Sequence, residues 1–444
     1  MTANTVPWRA GLSYGALGLP LAFLALPLYV HLPALYADQN AFQPALPLAT
    51  LGLVLLVTRL FDAALDPFIG HWIDGLFARR LRLVWQLATV AAVGVGAGFA
   101  ALFVVPGLGT QMSGSALMIW LATMLALTYV AFSTLTITHQ AFGARLGGSA
   151  AQRAQWVAWR EVLALLGVLM ASVIPSVAGM SASAVVLCAT LLLGLLLLMR
   201  VPGIDRDPVS INVSGDLMSP ATQNAAPSHW STPWRNASFR KLLGVYMLNG
   251  VASAVPATLV LFFVRDRLGS AAWEPVLLGL YFVAALCGVP LGVRATSRWG
   301  LSQAWLAAMM VACVAFAFAF TLRSGDVLGF AFVCIATGLA LGTELTAPGA
   351  LLVGVIQRSA KGKVDSNNEG VYVGWWTSAT KLNLGLAAGL ALPLLAWAGY
   401  SPGQRDDTAL SALSLAYVAV PCLLKLMAVA LLWRWQNHIQ GDRP

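Results

Sequence analysis

Apolar runs about as long as a bilayer is thick alternate along this chain with short polar stretches. A membrane-crossing helix takes about 20 apolar residues, and twelve runs qualify: residues 11–33, 46–66, 83–105, 114–142, 160–178, 183–200, 241–264, 275–295, 303–322, 327–356, 371–398 and 410–433. The pattern predicts an all-α membrane protein of twelve transmembrane helices. One polar interruption is far longer than the others. VPGIDRDPVSINVSGDLMSPATQNAAPSHWSTPW, which starts at Val201, is rich in Pro, Ser, Asn and Asp and has no periodicity, so it reads as a flexible linker. The expected domains are therefore residues 1–200 with six helices, a linker over 201–239, and residues 240–444 with six more. The first run is too long for a cleaved signal and has no small-residue cleavage site, so it is expected to stay as a helix.

Composition agrees with a membrane setting. Hydrophobic residues make up 59% and charged residues 10%, with a mean hydropathy of +0.78, whereas soluble domains carry about 25% charged residues. The net charge of +9 raises the question of a nucleic-acid partner, but its distribution answers it. With the N-terminus in the cytoplasm, 18 of the 26 basic residues fall in cytoplasmic loops and tails, against 4 on the other side: Arg265, Arg267, Arg323 and Arg405. That bias orients both termini toward the cytoplasm. The five cysteines, Cys188, Cys287, Cys313, Cys334 and Cys422, lie in apolar runs without paired spacing, which points to neither a disulfide nor a metal role. No phosphate-loop sequence, nucleophile–base set or metal-ligand spacing occurs. The expectation is a gradient-driven transporter in a bacterial inner membrane, not an enzyme, without a cofactor and monomeric.

Four basic residues, Arg59, Arg160, Lys381 and Lys425, lie inside apolar runs. Residues 59–74, RLFDAALDPFIGHWID, place Arg59, Asp62 and Asp66 on one helical stripe just before Pro67, which is expected to stop or kink the helix. Ionisable groups inside a span are costly and mark ion or substrate paths. Two six-helix halves on a cytoplasmic linker are the plan of the major facilitator superfamily, with substrate near the midplane between the halves. More specifically, RLFDAALDPFIGHWID resembles the second-helix motif of the glycoside–pentoside–hexuronide:cation symporters. That family also has an early LSYG, found here at Leu12 to Gly15, a helix-five arginine matched by Arg160, and a helix-eleven lysine twelve residues after a glutamate, matched by Glu369 and Lys381 in NNEGVYVGWWTSATKLNLG. The resemblance implies that Asp62 and Asp66 bind the coupling cation and that Lys381 lies beside them. Carboxylates with hydroxyls from Thr58 or Thr128 suit Na+, and a carboxylate alone suits H+. Arg59 and Lys381 against Asp62 and Asp66 make a neutral set, so an added cation must loosen one pairing.

On the substrate side the likeness weakens. Sugar-transporting members use acids on helices one and four, yet GLSYGALGLPLAFLALPLYV has none and the helix-four position is Ser133. The candidate substrate residues are Arg160, Tyr129, Ser133, Asn249, Trp376 and Asn383, with a guanidinium at Arg160 suited to an acidic group. Glu161 is expected to point away from Arg160 because adjacent helical residues diverge. Glu344 stands alone in the tenth run, and His139 reads as a polar helix end. The favoured function is cation-coupled symport of a small polar or anionic solute, such as a glycoside or uronate. The alternative is a carrier or flippase of an amphiphile such as a lysolipid.

Overall fold

The computed structural model describes residues 5–37, 48–104, 114–202, 230–360, 368–397, 400 and 406–440, and among these it contains helices and turns but no strand. The chain opens with α1 (Trp8–Gly15), α2 (Gly18–Leu26), a π-helical turn at Pro27–His31 and α3 (Leu32–Ala37). Next come α4 (Leu48–Arg79), α5 (Leu81–Phe99), a π turn at Ala100–Val104, α6 (Gly114–Leu146) and α7 (Ala150–Leu198). After the short α8 (Thr232–Arg235) come α9 (Ala237–Phe262), a π turn at Phe263–Arg267, α10 (Glu274–Trp299), α11 (Leu301–Ala319), α12 (Val327–Ala360), α13 (Glu369–Trp397) and α14 (Asp407–Gln440). Among the described residues, ten stretches are long and apolar enough to cross a membrane, α7 supplying two of them. The charge-bearing α4 and α13, with 32 and 29 residues, complete the twelve expected from the sequence.

Local chemistry sets the boundaries. Ser149 accepts from the Gln152 backbone N–H while the Gln152 side chain accepts from Ser149 N–H, a reciprocal cap that starts α7. Within α7, Gly179 has φ 82°, a left-handed conformation open to glycine, and it separates the fifth and sixth spans. Asn236 caps α9 by accepting from Ser238 and Phe239 N–H. Most of the expected linker, residues 203–229, lies outside the described residues. Its last part is ordered: Trp375 Nε1 donates to the Trp230 carbonyl, and Trp234 meets the Trp375 ring edge-on at 5.0 Å. Of the stop or kink expected at Pro67, the stop does not occur. α4 runs through it to Arg79, because one missing N–H is tolerated where a neighbouring helix supports the segment.

That neighbour is α13. A Cβ on Gly70 would sit 2.0 Å from the Gly370 carbonyl oxygen, and one on Gly374 would sit 2.4 Å from the Asp66 carbonyl oxygen, so the two backbones cross almost in contact. Small residues allow this approach in membrane helices. The crossing is reinforced where Asp74 accepts from Gly370 and Val371 N–H at 2.6 and 2.8 Å. Nearby, Arg145 pairs with Glu369 at 3.6 Å, and Arg153 donates to Gln357 at 3.2 Å. All three ties lie at the end of the molecule rich in basic residues. The largest hydrophobic core accompanies them, combining Ile73 and Phe77 of α4 with Leu351, Tyr372 and Ile439. The second core, around Phe263, Phe330 and Tyr417, draws only on residues from Ala254 to Val418.

Gly374→Ala is expected to push α13 off α4 and lower stability by about 1–3 kcal/mol through overpacking, read as a fall in the thermal unfolding midpoint of the purified protein. An unchanged midpoint would show that this crossing is not a tight backbone contact.

Candidate functional site: a buried charge cluster between α4, α6 and α13

Burial along α4 has a helical period. Asp62, Asp66, Ile69, Ile73 and Phe77 are buried, whereas Val57, Leu60, Phe61, Phe68 and Trp72 are exposed, on the side a lipid chain would cover. Both faces are apolar, and the carboxylates choose the inner one because an unpaired charge in hydrocarbon is costly. At the α13 crossing, Lys381 reaches them. Its Nζ lies 2.7 Å from Asp62 Oδ1 and 2.8 Å from Asp66 Oδ1, and it donates to Ser133 Oγ of α6 at 2.6 Å. Ser133 in turn donates to Asp62 Oδ1 at 2.7 Å. Asp62, Asp66, Ser133 and Lys381 are all at most 5% exposed. The second oxygen of each carboxylate, Asp62 Oδ2 and Asp66 Oδ2, is buried without a hydrogen-bond partner among the described residues. Arg59 approaches Asp62 Oδ2 only to 3.8 Å, and its guanidinium stands 5.4 Å from the Tyr129 ring centroid. The cluster is neutral but its acceptors are incompletely satisfied, an arrangement suited to a hard cation or a proton.

The other sequence candidates separate. Ser133 belongs with the ions, although the sequence placed it with the substrate. Thr58 donates to the Val54 and Leu55 carbonyls of its own helix. Thr128 donates to the Met124 carbonyl and packs against Gly98 of α5. Arg59, Tyr129 and Lys381 line a cavity of about 240 Å³ with Leu28, Phe132 and Thr380. Arg160 lies beyond it, near Tyr14, Trp156 and Trp376. Glu161 does not point away from it: Arg160 Nε and a terminal nitrogen donate to Glu161 Oε1 at 3.0 and 2.6 Å. Adjacent Cβ atoms diverge, but two long side chains curl back to meet when burial would otherwise leave both charges alone. Trp376 stacks on Tyr246 with centroids 3.8 Å apart, and Asn383 packs against Gly250. His139, 1% exposed, is no polar helix end: its Nε2 is 2.8 Å from the Tyr14 carbonyl.

Glu344 is not alone either. Lys425 Nζ lies 2.8 and 2.7 Å from its two carboxylate oxygens and also donates to Asn249 Oδ1 at 2.8 Å and Ser253 Oγ at 3.0 Å. Asn249 and Ser253 complete the set by donating to Glu344 Oε2. Asn249, a sequence candidate for substrate, is thus part of a second ionic cluster.

The profile of the family described as MFS/sugar transport protein matches residues 12–436. The chain belongs to that family. This member of it is a multi-pass membrane transporter, not an enzyme. Its fold is the major facilitator fold. A bacterial homologue of the iron transporter ferroportin, solved in an outward-facing state, superposes with a TM-score of 0.67 at 16% identity, covering 97% of this chain and 100% of that one. The human organic anion transporter MFSD10 gives 0.61 at 17% identity over 96% and 100%. The Escherichia coli fucose:proton symporter gives 0.57 at 14% over 95% and 97%. At such identities the likeness is one of fold. A comparison with curated proteins gives no match. Among the described residues of this MFS/sugar transport family member, no group of three or more His, Cys, Asp or Glu side chains is arranged to hold a metal ion.

Sequence reasoning noticed Glu344 and Lys425 separately. The available signal was that two opposite charges in otherwise apolar spans have to meet. Glu344→Gln is expected to destabilise the protein by about 3–5 kcal/mol by stranding a buried ammonium, and Glu344→Leu with Lys425→Met to recover most of it. Thermal unfolding of the three proteins checks this, and a double variant as unstable as the single one would mean that the pair is needed as a pair.

Proposed function

We propose that the chain is a cation-coupled symporter of a small polar or anionic solute, working by alternating access, in which Asp62 and Asp66 bind the cation and Lys381 competes with it. The observation that carries this reading is the Lys381 ammonium bridging both carboxylates at 2.7 and 2.8 Å while one oxygen of each has no hydrogen-bond partner among the described residues. A fixed ammonium keeps the empty cluster neutral, and an entering Na+ or H+ takes over a carboxylate and loosens Lys381. Because Lys381 belongs to α13 and both carboxylates to α4, that exchange changes the bond between two helices that cross at the closed end. Cation binding is thereby linked to opening. The same arrangement, with the RLFDAALDPFIGHWID motif, supports membership of the glycoside–pentoside–hexuronide:cation symporters.

The solute position we favour is the cavity lined by Arg59, Tyr129, Gln140, Thr380 and Lys381, beside the charge cluster. Gln140 also lines the small space at Arg160, which connects the two by a shared residue. An acidic group on the solute would have to displace Glu161 from Arg160. The aliphatic and aromatic wall made by Ala25, Leu28, Phe132 and Leu384 favours a second reading, in which the solute is an amphiphile. The basic end, tied by Asp74, Glu369 and Arg153, is taken as cytoplasmic by the positive-inside bias, which puts both termini in the cytoplasm of a bacterial cell.

Asp62→Asn and Asp66→Asn are each expected to abolish gradient-driven accumulation in proteoliposomes while downhill exchange of solute persists. Imposing Na+ and pH gradients separately identifies the ion. Wild-type accumulation in either variant would assign the carboxylates to structure alone.

Lys381→Ala is expected to uncouple transport. One charge moved inward gains about 2.3 kcal/mol per 100 mV, enough for roughly fifty-fold accumulation, and the variant should fall to equilibration. Uptake with and without an imposed potential is the measurement, and unaltered potential dependence would sink the competition mechanism.

A further inference from the structure

The Glu344–Lys425 pair does not stand in solid protein. It forms one end of a partly open cavity of about 180 Å³ lined by α9, α10, α11, α12 and α14, with Val260, Phe282, Phe316 and Leu341 among its other walls. None of its lining residues is shared with the cavity beside Lys381, so binding in it is independent of the transport reading.

Two features make it more than a packing defect. Tyr281 and Tyr417 both line it, Tyr417 being only 4% exposed, and neither hydroxyl has a hydrogen-bond partner among the described residues. Both phenols are therefore available to donate into the cavity. The ion pair, by contrast, is nearly saturated. Lys425 has four acceptors for three protons, and Glu344 Oε2 accepts from Lys425, Asn249 and Ser253. Glu344 Oε1 accepts from Lys425 alone among the described residues, so it has one lone pair left. The cavity therefore offers two phenol donors and one carboxylate acceptor against an otherwise apolar surface. It offers no net charge, and a charged guest would bring an uncompensated ion into it.

We propose that this cavity binds an uncharged, mainly apolar molecule carrying a hydrogen-bond donor beside an acceptor, as in a secondary amide. The donor meets Glu344 Oε1, the acceptor takes a proton from Tyr417 or Tyr281, and the apolar parts lie against Phe282, Phe316 and Leu341.

The test uses the full chain in lipid nanodiscs and tritiated benzanilide, a neutral amide between two phenyl rings, with partition into protein-free discs subtracted. The competitor is trans-stilbene, similar in shape but without the amide. Saturable binding that unlabelled benzanilide displaces much better than stilbene is expected. Tyr281→Phe combined with Tyr417→Phe should weaken it about five- to tenfold through one lost hydrogen bond, and Ala312→Phe, which fills the cavity from α11, should abolish it. Thermal unfolding verifies that each variant is folded, and Phe282→Trp fills the space from the opposite wall if Ala312→Phe is not. No saturable binding, displacement by stilbene as effective as by benzanilide, full affinity in the double Tyr281→Phe, Tyr417→Phe variant, or binding that survives in a folded, filled variant would each overturn the proposal. The last three would leave only a non-polar recess or a different site.

Discussion

The crossing of α4 and α13 is the constraint on which the rest of this structure depends. Three glycines, Gly70, Gly370 and Gly374, remove the side chains that would hold the helices apart. Only at that separation can a lysine on one helix reach two carboxylates on the other while remaining 5% exposed. Close packing and ion pairing reinforce each other here. Without the pairing, three charges would lie unpaired between apolar helices, and without the glycines the pairing distances could not be met. The backbone hydrogen bonds from Gly370 and Val371 to Asp74 then hold the same crossing farther along.

The two ionic clusters solve the burial of charge differently, and the difference has consequences. Around Lys425 nearly every donor and acceptor is matched, within helices that share one core. Such a set has little reason to rearrange. Around Lys381, two carboxylate oxygens have no hydrogen-bond partner among the described residues, and the paired charges sit on helices from opposite ends of the chain. A low-dielectric setting makes each missing hydrogen bond expensive. That cluster is therefore the less completely satisfied of the two. Arg160 with Glu161 is intermediate: paired within one helix, it leaves no net charge beside Tyr14 and Trp376.

The position of the cores gives this balance a direction. Apolar packing joins both parts of the chain at the basic end, a small third core joins Ala158 and Leu165 to Ala285 and Val289, and the buried residues of the second core run from Ala254 onward. Ties through Arg145, Arg153 and Asp74 lie at the joined end as well. Any motion that separates the parts there must break the apolar contacts and the ion pairs together, so a change at Lys381 acts on a closed interface and not on a loose one.

The helices, their number and the charged stripe on α4 were legible in the sequence because lipid admits only backbones that satisfy their own hydrogen bonds, so a run of apolar residues of sufficient length has one outcome. The nearness of Lys381 to Asp62 and Asp66 came from the family likeness and not from spacing. What only the tertiary structure decided is which charges meet. Lys381 and Asp66 are 315 positions apart, and Lys425 and Glu344 are 81 apart. Helical periodicity says which face a residue takes but not which helix lies opposite. For that reason Glu344 looked isolated, Ser133 looked like a substrate ligand, and Glu161 looked turned away from Arg160. Each was resolved by the same rule acting across helices: a charge removed from water takes the nearest opposite charge or hydrogen-bonding group that packing brings within reach.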